Sequence, residues 1–124
     1  MPGLQELRGR LVLALEDGTA HGALVEQALA QAGARIAGPF GSCKDALIWL
    51  ERNTPDLAVL DIELGGEPCA DVARELRHEG VPFVVFSATE PHGAPREFRN
   101  VPWIDKSSMN HLAIALAEAA RLAS

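Results

Sequence analysis

A chain of 124 residues is long enough for one domain with a single core and short for two. Its 48% hydrophobic and 23% charged residues are the balance of a folded globular protein and exclude a disordered one. A net charge of −6, with no Lys/Arg-rich run, argues against a nonspecific binder of nucleic-acid phosphates, which needs a basic face.

The opening MPGLQELRGR lacks the apolar stretch of a signal peptide, and no apolar run nears the length of a membrane span. The expectation is a cytoplasmic protein without membrane contact. Cys43 and Cys69 form neither a metal motif nor a disulfide framework, so both are expected to be reduced.

Short apolar runs alternate with helical patterns along the chain. Leu11-Val12-Leu13-Ala14-Leu15 predicts a first strand, ending at the acidic pair Glu16-Asp17. Leu24, Val25, Ala28, Leu29 and Ala32 then recur at helical spacing, predicting a helix that faces a sheet and stops at Gly33. Arg35-Ile36-Ala37-Gly38 predicts a second strand. Ser42 is a suitable N-cap for a helix carrying Ala46, Leu47, Trp49 and Leu50, closed by Asn53-Thr54-Pro55.

A third strand, Leu57 to Leu60, leads into Asp61 and is followed by a Gly65-Gly66 turn. The next helix sets Val72, Ala73 and Leu76 on one face and ends at Gly80. Phe83-Val84-Val85-Phe86 is apolar throughout, as in a strand buried on both faces, and leads into Ser87. Pro91, Gly93 and Pro95 leave room only for a short helical turn near Arg96-Glu97-Phe98-Arg99. A fifth strand, Val101 to Ile104, runs into Asp105-Lys106, and a last helix carries Leu112, Ala115, Leu116 and Ala119.

Five strands joined by helical crossovers predict an α/β fold: a doubly wound five-stranded parallel sheet with helices on both faces and a short or irregular fourth helix. Ligands of such sheets bind outside the carboxyl ends of the strands. Glu16, Asp17, Asp61, Ser87 and Lys106 all follow strand ends, so they are expected at one rim. Clustered carboxylates call for a hard cation such as Mg²⁺. Asp17 and Asp61 are its expected direct ligands, with Glu16 holding a coordinated water and a backbone carbonyl near Glu63 adding another ligand.

An Asp carboxylate can attack phosphorus to give an acyl phosphate, and the spreading negative charge needs cations and donors. Mg²⁺, the Lys106 ammonium and the Ser87 hydroxyl would supply them to a nucleophilic Asp61. Each residue taken singly has an ordinary role: turn former, cap or solvated surface group. Their concurrence at one rim favours the chemical reading.

LVLALED, PDLAVLDIELGG, VPFVVFSA and VPWIDK resemble, in order, the segments of the receiver domain of two-component signalling, over nearly the whole chain from Leu11 to Leu122. The resemblance implies a flavodoxin-like fold with Asp61 as phosphoacceptor, Glu16 and Asp17 as the Mg²⁺ pair, Ser87 as the hydroxyl and Lys106 as the phosphate-binding lysine. It implies a switch in which Ser87 moves toward the phosphoryl oxygens and Trp103 repacks inward; an ordinary half-buried strand Trp is the competing role for Trp103. Trp49 is expected in the core.

The sequence departs from the receiver pattern in three places. Ser107 follows Lys106 where receivers usually carry a cis proline, and a cis bond before a non-proline costs about 3 kcal/mol. Gly65 stands in place of a common proline, and Pro68-Cys69 displaces a usual small residue. The short, Pro-rich stretch before Lys106 resembles a subgroup of standalone receivers with a degraded fourth helix.

The resemblance implies residues 1–124 as one receiver domain without an output domain. The expected partners are a sensor histidine kinase or histidine phosphotransfer protein and a downstream protein, with no direct nucleic-acid contact. Phosphotransfer and dephosphorylation would be self-catalysed rather than those of a classical enzyme. A homodimer through the Ala-rich segment from Leu112 to Ala123 is a further expectation.

The alternative is a phosphorylation-independent pseudo-receiver acting as an interaction module, which the Ser107 departure favours and the intact acidic set disfavours. A nucleotide binder would need a glycine-rich phosphate loop after the first strand, where Glu16-Asp17 would repel phosphate. A haloacid-dehalogenase-like phosphatase would need an Asp at position 63, which is Glu63. Of the histidines, His21, His78, His92 and His111, only His21 is expected near the rim.

Overall fold

The computed structural model describes residues 7–61, 69–87, 96–98 and 100–123. Five strands form one parallel sheet: β1 (Leu11–Leu15), β2 (Arg35–Phe40), β3 (Leu57–Asp61), β4 (Phe83–Ser87) and β5 (Trp103–Asp105), in the order β2-β1-β3-β4-β5. Between them run α1 (Thr19–Gln31), α2 (Cys43–Leu50), α3 (Ala70–His78) and, after β5, α4 (Leu112–Ala123). This is the doubly wound, flavodoxin-like arrangement expected from the alternating pattern. Among the described residues, no helix is long and apolar enough to cross a membrane.

Side chains alternate along each strand, so every central strand feeds two cores. Leu13, Leu15, Ala58, Leu60, Phe83 and Val85 pack with Ala46, Val72, Ala73 and Leu76 beneath α2 and α3. Val12, Ala14, Leu57, Val59, Val84 and Phe86 pack with Val25, Leu29, Leu112 and Leu116 beneath α1 and α4. All five residues of β3 and of β4 are buried. Each fully buried Leu, Val or Phe in them contributes roughly 1.5–3 kcal/mol.

Ser42 caps α2 as expected, its hydroxyl accepting from the Asp45 amide at 3.1 Å. Gly33 and Gly80 take the left-handed conformation after α1 and α3, at φ +83° and +72°. Each lets the following amide turn back, Ala34 N to Leu29 O at 3.0 Å and Val81 N to Leu76 O at 2.8 Å.

The fourth crossover contains a three-residue 3-10 turn, Arg96–Phe98, rather than a full helix among the described residues. Phe98 is buried and meets the Phe83 ring edge-on at 6.4 Å between centroids. Glu97 ties the turn to α3 through Arg74 at 3.0 Å and through its own carbonyl, which accepts from Arg77 Nε at 2.8 Å.

Four expectations need correction. The second strand runs on through Gly38-Pro39 to Phe40; a proline is tolerated there because β2 is an edge strand with one unpaired side. The fifth strand begins at Trp103, not Val101, and extends to Asp105. Leu24 is 44% exposed, on the solvent side of a stripe that Val25 and Leu29 alone bury fully. Finally, Cys43 and Cys69 are joined by a disulfide, with a Cα–Cα distance of 5.8 Å. The pair is separated by 26 residues, and only the packing of α2 beside α3 brings the two together.

Candidate functional site

The site lies where the carboxyl ends of the strands meet, because parallel pairing aligns all five ends. Leu15 pairs with Leu60, placing Glu16 beside Asp61, the last residue of β3. The Glu16 amide donates to Phe40 O at 3.0 Å, fixing the turn after β1 against the end of β2. Asp61 pairs with Phe86 in β4, and Ser87, the next residue, pairs with Asp105 in β5. The Lys106 amide donates to Ser87 O at 2.9 Å, extending that ladder by one bond.

Glu16, Asp61 and Ser87 are buried polar groups, at 5%, 1% and 2% exposure. The Lys106 ammonium reaches inward to Asp61 Oδ2 at 2.9 Å and to Glu16 Oε2 at 3.4 Å. One half-buried lysine therefore serves two buried carboxylates. Asp17 is more exposed, yet carboxylate oxygens of Glu16, Asp17 and Asp61 all lie within 4.8 Å of one another. Three carboxylates against one ammonium leave the cluster short of positive charge.

The neighbours register that shortage. Burial pushes the Glu16 carboxyl up; the Asp61 charge adds to the rise, while the Gly18 amide and Lys106 pull the other way. Glu16 Oε1 accepts from Gly18 N at 2.9 Å, but Glu16 Oε2 is buried without a hydrogen-bond partner. Burial alone would lower Lys106, but its bond to Asp61 and the charges of Asp61 and Glu16 prevail and hold it above its ordinary value.

A hard divalent cation fits this donor set. The available atoms are carboxylate oxygens, which Mg²⁺ prefers, and Glu16 Oε2, buried beside Lys106 without a hydrogen bond, is suited to accept from a metal-bound water. Glu63, expected to supply a carbonyl, lies outside the described residues, as do the Gly65-Gly66 turn and His92.

Two contacts were not anticipated from the residue pattern. Lys106 Nζ sits 5.7 Å from the centroid of the Phe86 ring, and His21 meets the same ring edge-on at 6.3 Å. Phe86 thus forms the apolar floor under the ammonium, and His21 does neighbour the site. The signal was present as an aromatic immediately before the strand-end serine, but such residues usually serve only the core.

After Lys106 the chain takes a tight turn without the cis bond that receivers usually have there; among the described residues the one cis peptide is Gly38–Pro39. The Ser107 amide and hydroxyl both donate to Asp105 Oδ1, at 2.8 and 2.7 Å, and Ser108 N donates to Asp105 O at 2.8 Å. Ser107 thus supplies an N–H that proline lacks. Trp103 is half-buried and packs against the α2/α3-side core. Trp49 also packs there, only partly buried, with its ring 6.3 Å from that of Phe40.

The sequence matches no protein-family model and no curated protein. Solved structures do match. The N-terminal domain of a response regulator/sensory box/GGDEF three-domain protein from Carboxydothermus hydrogenoformans aligns with a TM-score of 0.74 at 23% identity, over 91% of this chain and 95% of that one. A CheY-like response regulator receiver domain protein from Methanospirillum hungatei aligns at 0.78 and 15% identity, over 93% and 96%. The response regulator PhyR from Brucella abortus aligns at 0.78 and 19% identity, over 98% of this chain but 51% of that one. The chain has the receiver-domain fold.

Proposed function

We propose that this protein is a response-regulator receiver that accepts a phosphoryl group on Asp61 in a Mg²⁺-dependent reaction and signals through altered protein contacts. The observation that carries the reading is the buried Asp61 carboxylate, 2.9 Å from the Lys106 ammonium and clustered with Glu16 and Asp17. Neither a structural ion pair nor a turn former calls for three carboxylates around one lysine. Burying Glu16 and Asp61 costs several kcal/mol per charge unless compensated.

An Asp61 oxygen attacks the phosphorus of a phosphohistidine or of a small acyl phosphate. The bond from phosphorus to the donor breaks, and the donor leaves with that electron pair. Lys106 shifts from the carboxylate toward the phosphoryl oxygens, and the Ser87 hydroxyl donates to another. Glu16, Asp17 and Asp61 would hold the metal, with a carbonyl near Glu63 as a further ligand. Mg²⁺ supplies neutralisation of the phosphoryl charge at that place. The apolar floor of Phe86 keeps the ammonium from being fully solvated, which strengthens its pull on those oxygens.

In this reading the chain acts as a receiver domain. It exchanges phosphoryl groups with a histidine kinase or phosphotransfer protein and docks on a downstream protein. Trp103 and Ser87 are the candidates for carrying the change to the surface. A homodimer through α4, whose Ile114 and Leu122 are exposed, belongs to the same proposal.

The test is intact mass after incubation with acetyl phosphate, with Mg²⁺ or with chelator, for the wild type and Asp61→Asn. One phosphoryl group gained only with Mg²⁺ and only by the wild type is the expected result. No adduct, even with sampling fast enough to outrun hydrolysis, would leave the phosphorylation-independent interaction module as the better reading.

A further inference from the structure

The disulfide occupies a particular place in the fold. Cys43 is the first residue of α2, directly after its capping Ser42, and Cys69 is the N-cap of α3. Both helices begin at the rim that carries the acidic cluster. Residues 62–68 alone separate Cys69 from Asp61, so the ring closed between Cys43 and Cys69 contains all of β3 and its terminal Asp61.

The two sulfurs differ in access. Cys69 is 2% exposed and belongs to the core beneath α2 and α3, whereas Cys43 is half-buried at its margin. A Cα–Cα distance of 5.8 Å is within the ordinary range for a bridge.

We propose that Cys43 and Cys69 form a reversible thiol–disulfide modification site, oxidised by a low-molecular-weight disulfide of the glutathione class and reduced by the corresponding thiol. The Cys43 thiolate, the accessible one, attacks a sulfur of the small disulfide. A mixed disulfide forms, and one small thiolate leaves and takes up a proton. The Cys69 thiolate then attacks Cys43 Sγ, closing the intramolecular bond and expelling the second small thiolate. Two protein thiols lose two electrons, the small disulfide gains them, and the two protons pass from the cysteines to the released thiols. The bond ties the start of α2 to the end of the segment that leads out of Asp61.

The test equilibrates the full chain, without oxygen, in buffers of graded oxidised-to-reduced glutathione ratio. Samples are quenched in acid, alkylated with N-ethylmaleimide under denaturing conditions and weighed intact. The expected result is conversion of a doubly alkylated population into an unalkylated one lacking bound glutathione, with singly alkylated chains scarce. In Cys69→Ser, Cys43 should instead accumulate as a glutathione mixed disulfide. In Cys43→Ser, the buried Cys69 should remain alkylatable and free of glutathione. Wild type that keeps two alkylated thiols at every ratio would overturn the proposal, as would one that stops at a glutathione adduct on Cys43. The wild-type titration does not depend on how the variants fold. Its readout is thiol state, so it stands or falls separately from phosphorylation of Asp61.

Discussion

At the carboxyl ends of the strands the chain buries Glu16 and Asp61 beside Lys106, whereas at the amino ends of β4 and β5 it lines an open groove of about 490 Å³ mainly with apolar residues. Val81, Pro82, Phe83, Val101 and Pro102 form that second edge, with Leu122 of α4 at its margin. Both edges belong to the same sheet and are tied to the same cores. The difference lies in what each would lose if altered. The groove is largely apolar, with Arg77 and Asn100 its polar members. The acidic rim holds buried charges set against Lys106, whose loss would leave them poorly compensated.

The largest expected effect therefore comes from Lys106→Met, which keeps most of the stem but strips the ammonium from two buried carboxylates. In chelator, urea unfolding should show a loss of about 3 kcal/mol, in the range found when one partner of a buried pair is removed. A loss no greater than that of a groove substitution would erase the contrast between the edges. Next comes Mg²⁺ itself. At free Mg²⁺ about tenfold above its Kd, the wild type should gain about 1.4 kcal/mol in the same unfolding measurement, and Asp61→Ala should gain much less. Equal gains would place the metal elsewhere.

Leu122→Ser, at a position 71% exposed on the groove margin, should change stability by no more than about 0.5 kcal/mol. The smallest effect concerns the turn after β5. Hydrogen bonds from the Ser107 side chain and backbone hold the Asp105 carboxyl below its usual value. A depressed carboxylate stabilises the fold above its unfolded pKa, and that contribution is lost as pH falls through the folded one. Ser107→Ala should move the acid limb of a melting-temperature profile slightly upward in pH. An unmoved limb would mean that the backbone amide suffices to hold Asp105.

Much of this contrast was legible in the residue pattern. Apolar runs ending at Glu16, Asp61, Ser87 and Lys106 marked the strand ends, and parallel topology implied their shared rim. The burial of Val72, Ala73 and Leu76 followed from helical spacing, and the caps at Ser42, Gly33 and Gly80 from residue type. What escaped depends on neighbours distant in the chain. Pro39 reads as a strand breaker until β2 is known to be an edge. The start of β5 shifted by two residues because pairing with Val85, rather than local propensity, sets it at Trp103. Phe86 gained its place under Lys106 only through the β3–β4–β5 register. Cys43 and Cys69 carry no local signal at all; their meeting is a product of how α2 and α3 pack.

The two borders of the sheet have a consequence for association. β2 on one side includes Pro39, which has no N–H to offer, and β5 on the other is three residues long. An incoming strand from another chain would find an interrupted ladder at one border and barely one repeat of it at the other. Unprotected parallel sheets invite strand-by-strand stacking between molecules. This one presents a poor template on both sides, so crowding at high concentration should favour contacts between helix faces over continuation of the sheet.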